Sequence, residues 1–414
     1  MALVATSLDE IDFWDLDMFE FGDPHAAWKL LREQAPVWWH DRDGGEHFWS
    51  ITRYDDCHAV HADPVRFSSE RDGIMIRTNE QMLNDWAGSL GFKPMIHTDP
   101  PRHAPLRKAI SHNFTPRAIA RLEDQLRGYA TRCLDEAADR REIDFVRDIA
   151  HRIPAAIAFA LMGVPEERWD RLAELEHMTV TSSDPEFTHG KAAHEAAAAA
   201  SMELFGYWAE LIQHRMKEPG DDLLSQLLAA NVEGHRLPWE QVVAEAGLLL
   251  AGGLDTTRAA ASAGGMLALL ERPDQLRDLQ ANPSLLPTAV EEFVRWASPI
   301  TSEARTVTRD TELRGQQLRE GDRVVMWSPS CNRDEAHFED PFRYDIRRQS
   351  NRHLAFAYGE HYCLGVHLAR LTLKVEFQEL LQRFTSFELA GDPARVRSNF
   401  VGGLKHLPVV LTPR

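Results

Sequence analysis

The sequence predicts a mainly α-helical protein with small peripheral β-sheets, and three observations carry that prediction. From about residue 100 to 300 the chain runs in long Ala/Leu/Glu/Arg segments punctuated by Pro and Gly, the pattern of successive helices. Three shorter stretches read as strands. Two aromatic-rich runs in 36–54 flank Asp43-Gly44-Gly45, residues that suit a tight turn, so the stretch reads as a hairpin. Residues 305–328 alternate around the turn signals Arg314-Gly315 and Glu320-Gly321, and a β-like piece, 384–412, closes the chain. No internal repeat or Pro/Gly/Ser-rich hinge divides the helical part, so one domain over 1–414 is expected.

Composition bounds the function. With 43% hydrophobic and 27% charged residues the 414-residue chain has ordinary globular usage. A formal net charge of −18 argues against nucleic acid as a partner, since phosphate binding needs a basic surface. Cys57, Cys133, Cys331 and Cys363 are scattered, with no CxxC pair. A disulfide framework or Cys-rich zinc site is therefore not expected, and a cytoplasmic location is. The acidic N-terminus lacks a basic n-region, and no apolar run reaches the roughly 18 residues of a spanning helix, so neither signal peptide nor membrane anchor is expected.

The stretch from Leu237 to Asp274 predicts one helix of about 34 residues, on the order of 50 Å, starting near Pro238 and ending before Pro273. It is apolar on nearly every side around Leu248–Leu250, as a helix through a protein's centre would be. Then comes AGGLDTT, 251–257. Paired glycines there fit either a close helix crossing or a groove widened for a ligand, with an acid and hydroxyls beside it.

FAYGEHYCLG, 356–365, sets Cys363 at the entrance of an amphipathic helix. A lone cysteine is by default a small buried hydrophobe. Here a helix N-terminus would favour a thiolate, and Gly359 and Gly365 would let backbone approach something flat.

FAYGEHYCLGVHLA resembles the signature F-x-x-G-x-H/R-x-C-x-G-x-x-L-A of the cytochrome P450 superfamily. AGGLDTT resembles its glycine-broken helix, EFVR (292–295) its Glu-x-x-Arg, DPFRY (340–344) its meander, and HTDPPRHAPLRKAISHNFTP its segment before the helical body. These motifs stand in the family's order over 97–365. Ala357 stands where that family commonly has glycine.

The resemblance implies a cytochrome P450-type fold and a haem b (iron protoporphyrin IX) with Cys363 as proximal iron ligand, a ligation that favours O–O cleavage. It implies propionate partners at His103, Arg107, Arg305 and His361. It implies a structural network of Glu292, Arg295 and Arg343, and an acid–alcohol pair, Asp255 and Thr256, that delivers protons during dioxygen activation. By family position the substrate pocket would draw on Ile74, Met75, Met82, Trp86, Leu248, Gly252, Ile300, Phe400 and Val401, an apolar lining suited to a bulky hydrophobic molecule such as a steroid or terpenoid. The expected reaction is hydroxylation of that molecule with dioxygen. Electrons would come from NAD(P)H through a ferredoxin reductase and a ferredoxin, because the chain carries no such module. A basic patch around Arg102, Lys108, Arg117, Arg347, Arg348 and Arg352 would meet an acidic ferredoxin. A peroxygenase, a haem gas sensor and a zinc enzyme using His361 and Cys363 are the rival readings. The acid–alcohol pair counts against the first, the absence of a partner module against the second, and the lack of further ligands at metal spacing against the third.

Overall fold

A computed structural model describes residues 5–42, 46–76, 92–188 and 190–414. The expected strands form. Val37–Arg42 and Glu46–Ile51 pair antiparallel, Trp39 opposite Trp49, with the predicted turn between them outside the described residues. Arg323–Trp327 joins this hairpin in parallel, Val324 opposite Trp49. Ser302–Val307 follows antiparallel and Phe67–Ser68 closes the five-stranded sheet. Both faces of Arg323–Trp327 are buried, Val324 and Met326 in one apolar cluster with Ile51, and Val325 and Trp327 in another with Phe48. The C-terminal strands Phe384–Leu389 and Pro408–Pro413 pair with Glu142–Asp144 in a second sheet.

The central helix runs from Trp239 to Ala259, continues as a π-helical stretch over Ala260–Leu267, and ends at Leu270, three residues before Pro273. Its two glycine pairs do different work. A Cβ at Gly264 would collide with the Phe293 carbonyl and one at Gly265 with the Phe377 ring, so the close crossing with helices Leu286–Ala297 and Val366–Arg383 occurs there. A Cβ at Gly252 would meet nothing within 4 Å. Of the two readings of AGGLDTT, the open groove is therefore the one that fits Gly252.

Glu292 and Arg295 are fully buried and one helical turn apart. Arg295 donates to both carboxylate oxygens, Nε to Oε2 at 2.8 Å and Nη2 to Oε1 at 2.7 Å. Its Nη1 donates to the carbonyls of Asn332 and Pro341 at 2.8 and 2.9 Å. The backbone N–H of Asp345 and the Asn351 amide complete the shell of Glu292, at 2.9 and 3.0 Å. The expected third member is corrected here. The Arg343 side chain is 65% exposed and pairs with Asp345 at 3.1 Å. Arg348, 10% exposed, stands 3.3 Å from Glu292 Oε2, and its guanidinium also donates to the carbonyls of Glu339, Asp340 and Arg343. The DPFRY pattern marks the right loop, but the chain turns Arg343 outward and brings the second arginine of Arg347-Arg348 back to the acid.

A second difference concerns the cysteines. Cys57 and Cys331, 274 residues apart, form a disulfide. Helix Tyr54–Ala62 and the short helix Ser328–Cys331 bring them together, a tertiary approach that scattered positions along a chain do not disclose.

Without Arg348, Glu292 keeps Arg295 but loses its second cation, and the carbonyls of Glu339, Asp340 and Arg343 lose a charged donor, whereas an exposed ion pair contributes little. Arg348→Ala is therefore expected to lower unfolding stability by about 3 kcal/mol, and Arg343→Ala to stay within about 0.5 kcal/mol of the parent. Chemical denaturation of both variants measures the difference; equal losses would return Arg343 to the network.

Candidate functional site

The segment 354–365 forms the floor of an apolar cavity. Gly359 adopts φ +72°, and a Cβ there would stand 2.7 Å from the His61 carbonyl, so the turn lies directly against helix Tyr54–Ala62. Ala357 adopts φ +58°. This left-handed conformation costs an L-residue roughly 1–2 kcal/mol that glycine avoids, which gives a physical reason for glycine at this position in similar sequences. The Ala357 N–H donates to Leu354 O and the Cys363 N–H to Phe356 O, both at 2.9 Å, and these bonds hold the loop in place.

Cys363 is half-buried and lines the cavity. Burial pushes its thiol pKa up, opposed by the Gly365 N–H and by the charges of Arg107 and Arg370. Desolvation thus opposes the thiolate that the helix N-terminus was expected to favour.

Counting the solvent at its open mouth, the empty space of the cavity is about 1690 Å³. The central helix forms its roof with Leu248, Leu249, Gly252, Gly253 and Thr256. Ile74, Met95, Ile96, Ile300 and Phe400 form walls. Five of the nine expected pocket residues therefore line it: Ile74, Leu248, Gly252, Ile300 and Phe400. Met75 and Val401 do not; Met75 offers its carbonyl to Arg323 at 3.0 Å, and Val401 is buried against Ile300 through a β-bridge. Met82 and Trp86 lie outside the described residues. Leu249, Met95 and Ile96 were not among the nine residues named, although they lie in stretches expected to build the pocket, the loop around 70–96 and Leu248 to Thr256.

The expected propionate partners are gathered at one end. His103, Arg107 and His361 all line the cavity. The His103 ring stands 4.3 Å from that of His361, its Nδ1 3.2 Å from Glu360, and Arg107 donates to Tyr362 O at 2.5 Å. Burial, with Arg305 and His103 nearby, takes His361 down to about 3, so its imidazole is neutral at pH 7. Arg305 departs from expectation: it does not line the cavity and donates to Glu303 at 2.5 Å. Glu303, an unanticipated acid, does line it. Burial would raise its pKa, but Arg305 and His61 bring it to about 2.

Thr256 faces the cavity and donates its hydroxyl to Gly252 O at 2.7 Å. Asp255, its neighbour, faces the other way. It is 1% exposed, with Oδ1 3.1 Å from both His177 Nδ1 and Arg258 Nη2. Burial favours its neutral form, yet Arg258 and His177 hold it well below the usual carboxylate range. Glu176 beside it is pushed up to about 8, chiefly by burial and then by the Asp255 charge. Consecutive residues lie about 100° apart around the axis, and Asp255 falls outside the arc that Gly252, Gly253 and Thr256 present to the cavity.

The model of the family "Cytochrome P450" matches residues 93–406. The chain belongs to that family. A cytochrome P450 of Mycobacterium tuberculosis is 39% identical over 98% of this chain and 99% of its own length. The steroid C26-monooxygenase of the same species is 35% identical over 97% of this chain and 93% of its own, and the linalool 8-monooxygenase of Pseudomonas putida 34% identical over 98% and 100%. Among solved structures, CYP108D1 of Novosphingobium aromaticivorans superposes with a TM-score of 0.88 at 31% identity, covering 97% of each chain. This chain is accordingly a P450 monooxygenase. Among the described residues no helix is long and apolar enough to cross a membrane.

Removing the positive-φ cost at the floor tests the loop geometry. Ala357→Gly is expected to raise stability by about 1 kcal/mol, read as a higher Tm; a lower Tm would show that the loop depends on the alanine methyl.

Proposed function

We propose that this chain holds haem b through Cys363 and hydroxylates a bulky apolar molecule, a steroid, terpenoid or branched lipid, with dioxygen. The observation that carries the reading is one cavity with a thiol on its floor, a hydroxyl and a side-chain-free helix turn on its roof, and a polar end holding Arg107 and two neutral histidines. That donor set fits a flat, iron-bearing dianion. The thiol, once coordinated, loses its proton whatever its free pKa. Arg107, His103 and His361 would receive the carboxylates, Arg107 as a charged donor. Arg305 reaches a carboxylate only by giving up Glu303. Thiolate-ligated haem supplies the activation of dioxygen.

The remaining work falls to the protein. The apolar walls exclude water and orient the substrate by shape alone. Thr256 holds a hydroxyl at the roof and can pass its proton if its bond to Gly252 O is released. Asp255 is ionised and turned outward to Arg258 and His177, so it holds no proton of its own to deliver while that pairing lasts. The curated relatives' names, which include a steroid C26-monooxygenase, a linalool 8-monooxygenase and a methyl-branched lipid omega-hydroxylase, support an apolar substrate and divide over which one.

Electrons would come from NAD(P)H through a ferredoxin reductase and a ferredoxin. The docking patch is narrower than expected. Arg348 is held by Glu292, Arg347 is bidentate to Asp278, and Arg102 pairs with Glu70. Lys108, Arg117 and Arg352 are exposed, and Lys108 follows the cavity-lining Arg107 on helix His103–Ser111.

The reduced, CO-treated protein should absorb near 450 nm, about the wavelength of thiolate-ligated haem. Cys363→Ser should lose that band, and Thr256→Ala should keep it while releasing more hydrogen peroxide per NAD(P)H consumed. A band that survives in the serine variant removes Cys363 as ligand; unchanged peroxide output removes Thr256 from proton delivery. Reversal of Lys108 and Arg117 to Glu should slow ferredoxin-dependent reduction roughly tenfold at low salt, with the difference shrinking as the Debye length falls to about 8 Å at physiological salt. Reduction at the parent rate would place the docking face elsewhere.

A further inference from the structure

The wall residues Met95 and Ile96 belong to a short 3-10 turn, Met95–His97, and the first turn of any helix leaves N–H groups without internal partners. Here the Met95 N–H donates to Glu245 Oε1 on the central helix at 2.9 Å. The same oxygen accepts from Gln241 Nε2 at 2.8 Å, and that amide also donates to Lys93 O at 2.8 Å. Two side chains one helical turn apart thus grip the backbone of the wall segment at two points. Glu245 is 1% exposed, and its second oxygen, Oε2, is buried without a partner. A buried carboxyl that is only half satisfied is a costly way to fill space among Val242, Val243 and Ala246, where an apolar residue would pack without that penalty.

We infer that Glu245 is a positioning residue that, with Gln241, clamps the Met95–Ile96 turn and so sets the shape of the substrate cavity. The inference rests on the reading of that cavity as the substrate chamber. The clamp is built on the same helix that supplies Leu248, Leu249 and Gly252 to the roof, so roof and wall are referenced to one rigid element. On the far side of the turn, Thr98 returns both its N–H and its hydroxyl to Met95 O, at 3.1 and 2.7 Å, which closes the turn on itself. The segment is therefore a small preformed unit, and Glu245 decides where it sits.

Burial lifts Glu245 to about 7 against the pull of its two hydrogen bonds. The groups that touch it are uncharged, the Met95 N–H and the Gln241 amide. Of the titratable side chains on the wall segment, the Lys93 ammonium donates to Glu70 O at 2.6 Å and the His97 ring lies against Gly73. Hydrogen bonds from two donors favour the carboxylate. The clamp is therefore tightest above pH about 7 and slackens as Glu245 takes up a proton below it.

Hydrogen exchange at the Met95 amide reads the clamp directly, with or without haem, so the result is separable from the assignment of the cofactor. In Glu245→Leu the Met95 protection factor should fall about tenfold or more, the loss of a hydrogen bond to a buried acid. In the haem-loaded protein the dissociation constant of phenylimidazole, read from the Soret shift, should change at least about threefold in the leucine variant, roughly half of that free energy reaching the cavity. Glu245→Gln keeps a carbonyl acceptor and should hold the parent's protection at neutral pH, yet lose the change in protection that the parent shows between about pH 6 and 8. Undiminished protection in the leucine variant, or lost protection with unchanged phenylimidazole affinity, would overturn the proposal. Should the leucine variant not fold, the glutamine variant decides alone: a pH profile like the parent's removes Glu245 as the titrating clamp.

Discussion

The buried pair of Glu292 and Arg295 is the constraint on which the cavity floor depends. Arg295 spends its remaining N–H groups on the carbonyls of Asn332 and Pro341, and Asn332 in turn accepts the Leu354 N–H at 2.7 Å, two residues before the Phe356 that starts the cysteine loop. A chain of charge-assisted and neutral hydrogen bonds therefore runs from the helix Leu286–Ala297 to the loop that presents Cys363. Each member is buried, so each has no water to fall back on, and losing one leaves its neighbour with an unmet group. That is why an ion pair of little net worth by itself can hold a loop in one place. It converts an energetic penalty into a geometric requirement.

The roof answers a different need. The central helix must pass close to its neighbours at one end and stand away from them in the middle. Gly264 and Gly265 serve the first purpose by direct contact with Phe293 and Phe377, and Gly252 serves the second by presenting no side chain to the cavity. The close crossing falls within the π-helical stretch Ala260–Leu267.

Much of this was legible in the sequence because it rests on local pattern. Alternation and turn residues marked the hairpin and the 305–328 strands, helical periodicity marked the central helix, and the cysteine loop stood out through its glycines and aromatics. Misreadings arose where side-chain direction or long-range approach decides. Arg343 and Arg348 lie five residues apart in one irregular loop, and only the path of that loop tells which guanidinium returns to Glu292. Asp255 was read beside Thr256 as one acid–alcohol pair, and only the packing of His177 and Arg258 behind the helix shows that the acid turns to them. Arg305 alternates correctly on its strand, yet Glu303 two residues earlier shares its face and takes its charge. Cys57 and Cys331 meet only through tertiary packing.

The same helical geometry explains why the central helix carries acids that the cavity does not see. Glu245 and Asp255 are both 1% exposed and both directed away from the roof, one toward the Met95 turn and the other toward His177 and Arg258. A helix that is apolar all round would pack as well against a shifted neighbour as against the native one. Placing a carboxyl on each flank removes that freedom, because each accepts only from a donor at one position, and a shift would bury the carboxyl without its donor. The two acids differ in the partner that satisfies them. Asp255 has an arginine and stays ionised; Glu245 has only uncharged donors and titrates near neutrality. One flank is thereby held by an ion pair, and on the proposed reading the other is held by a clamp whose strength follows the protonation of Glu245.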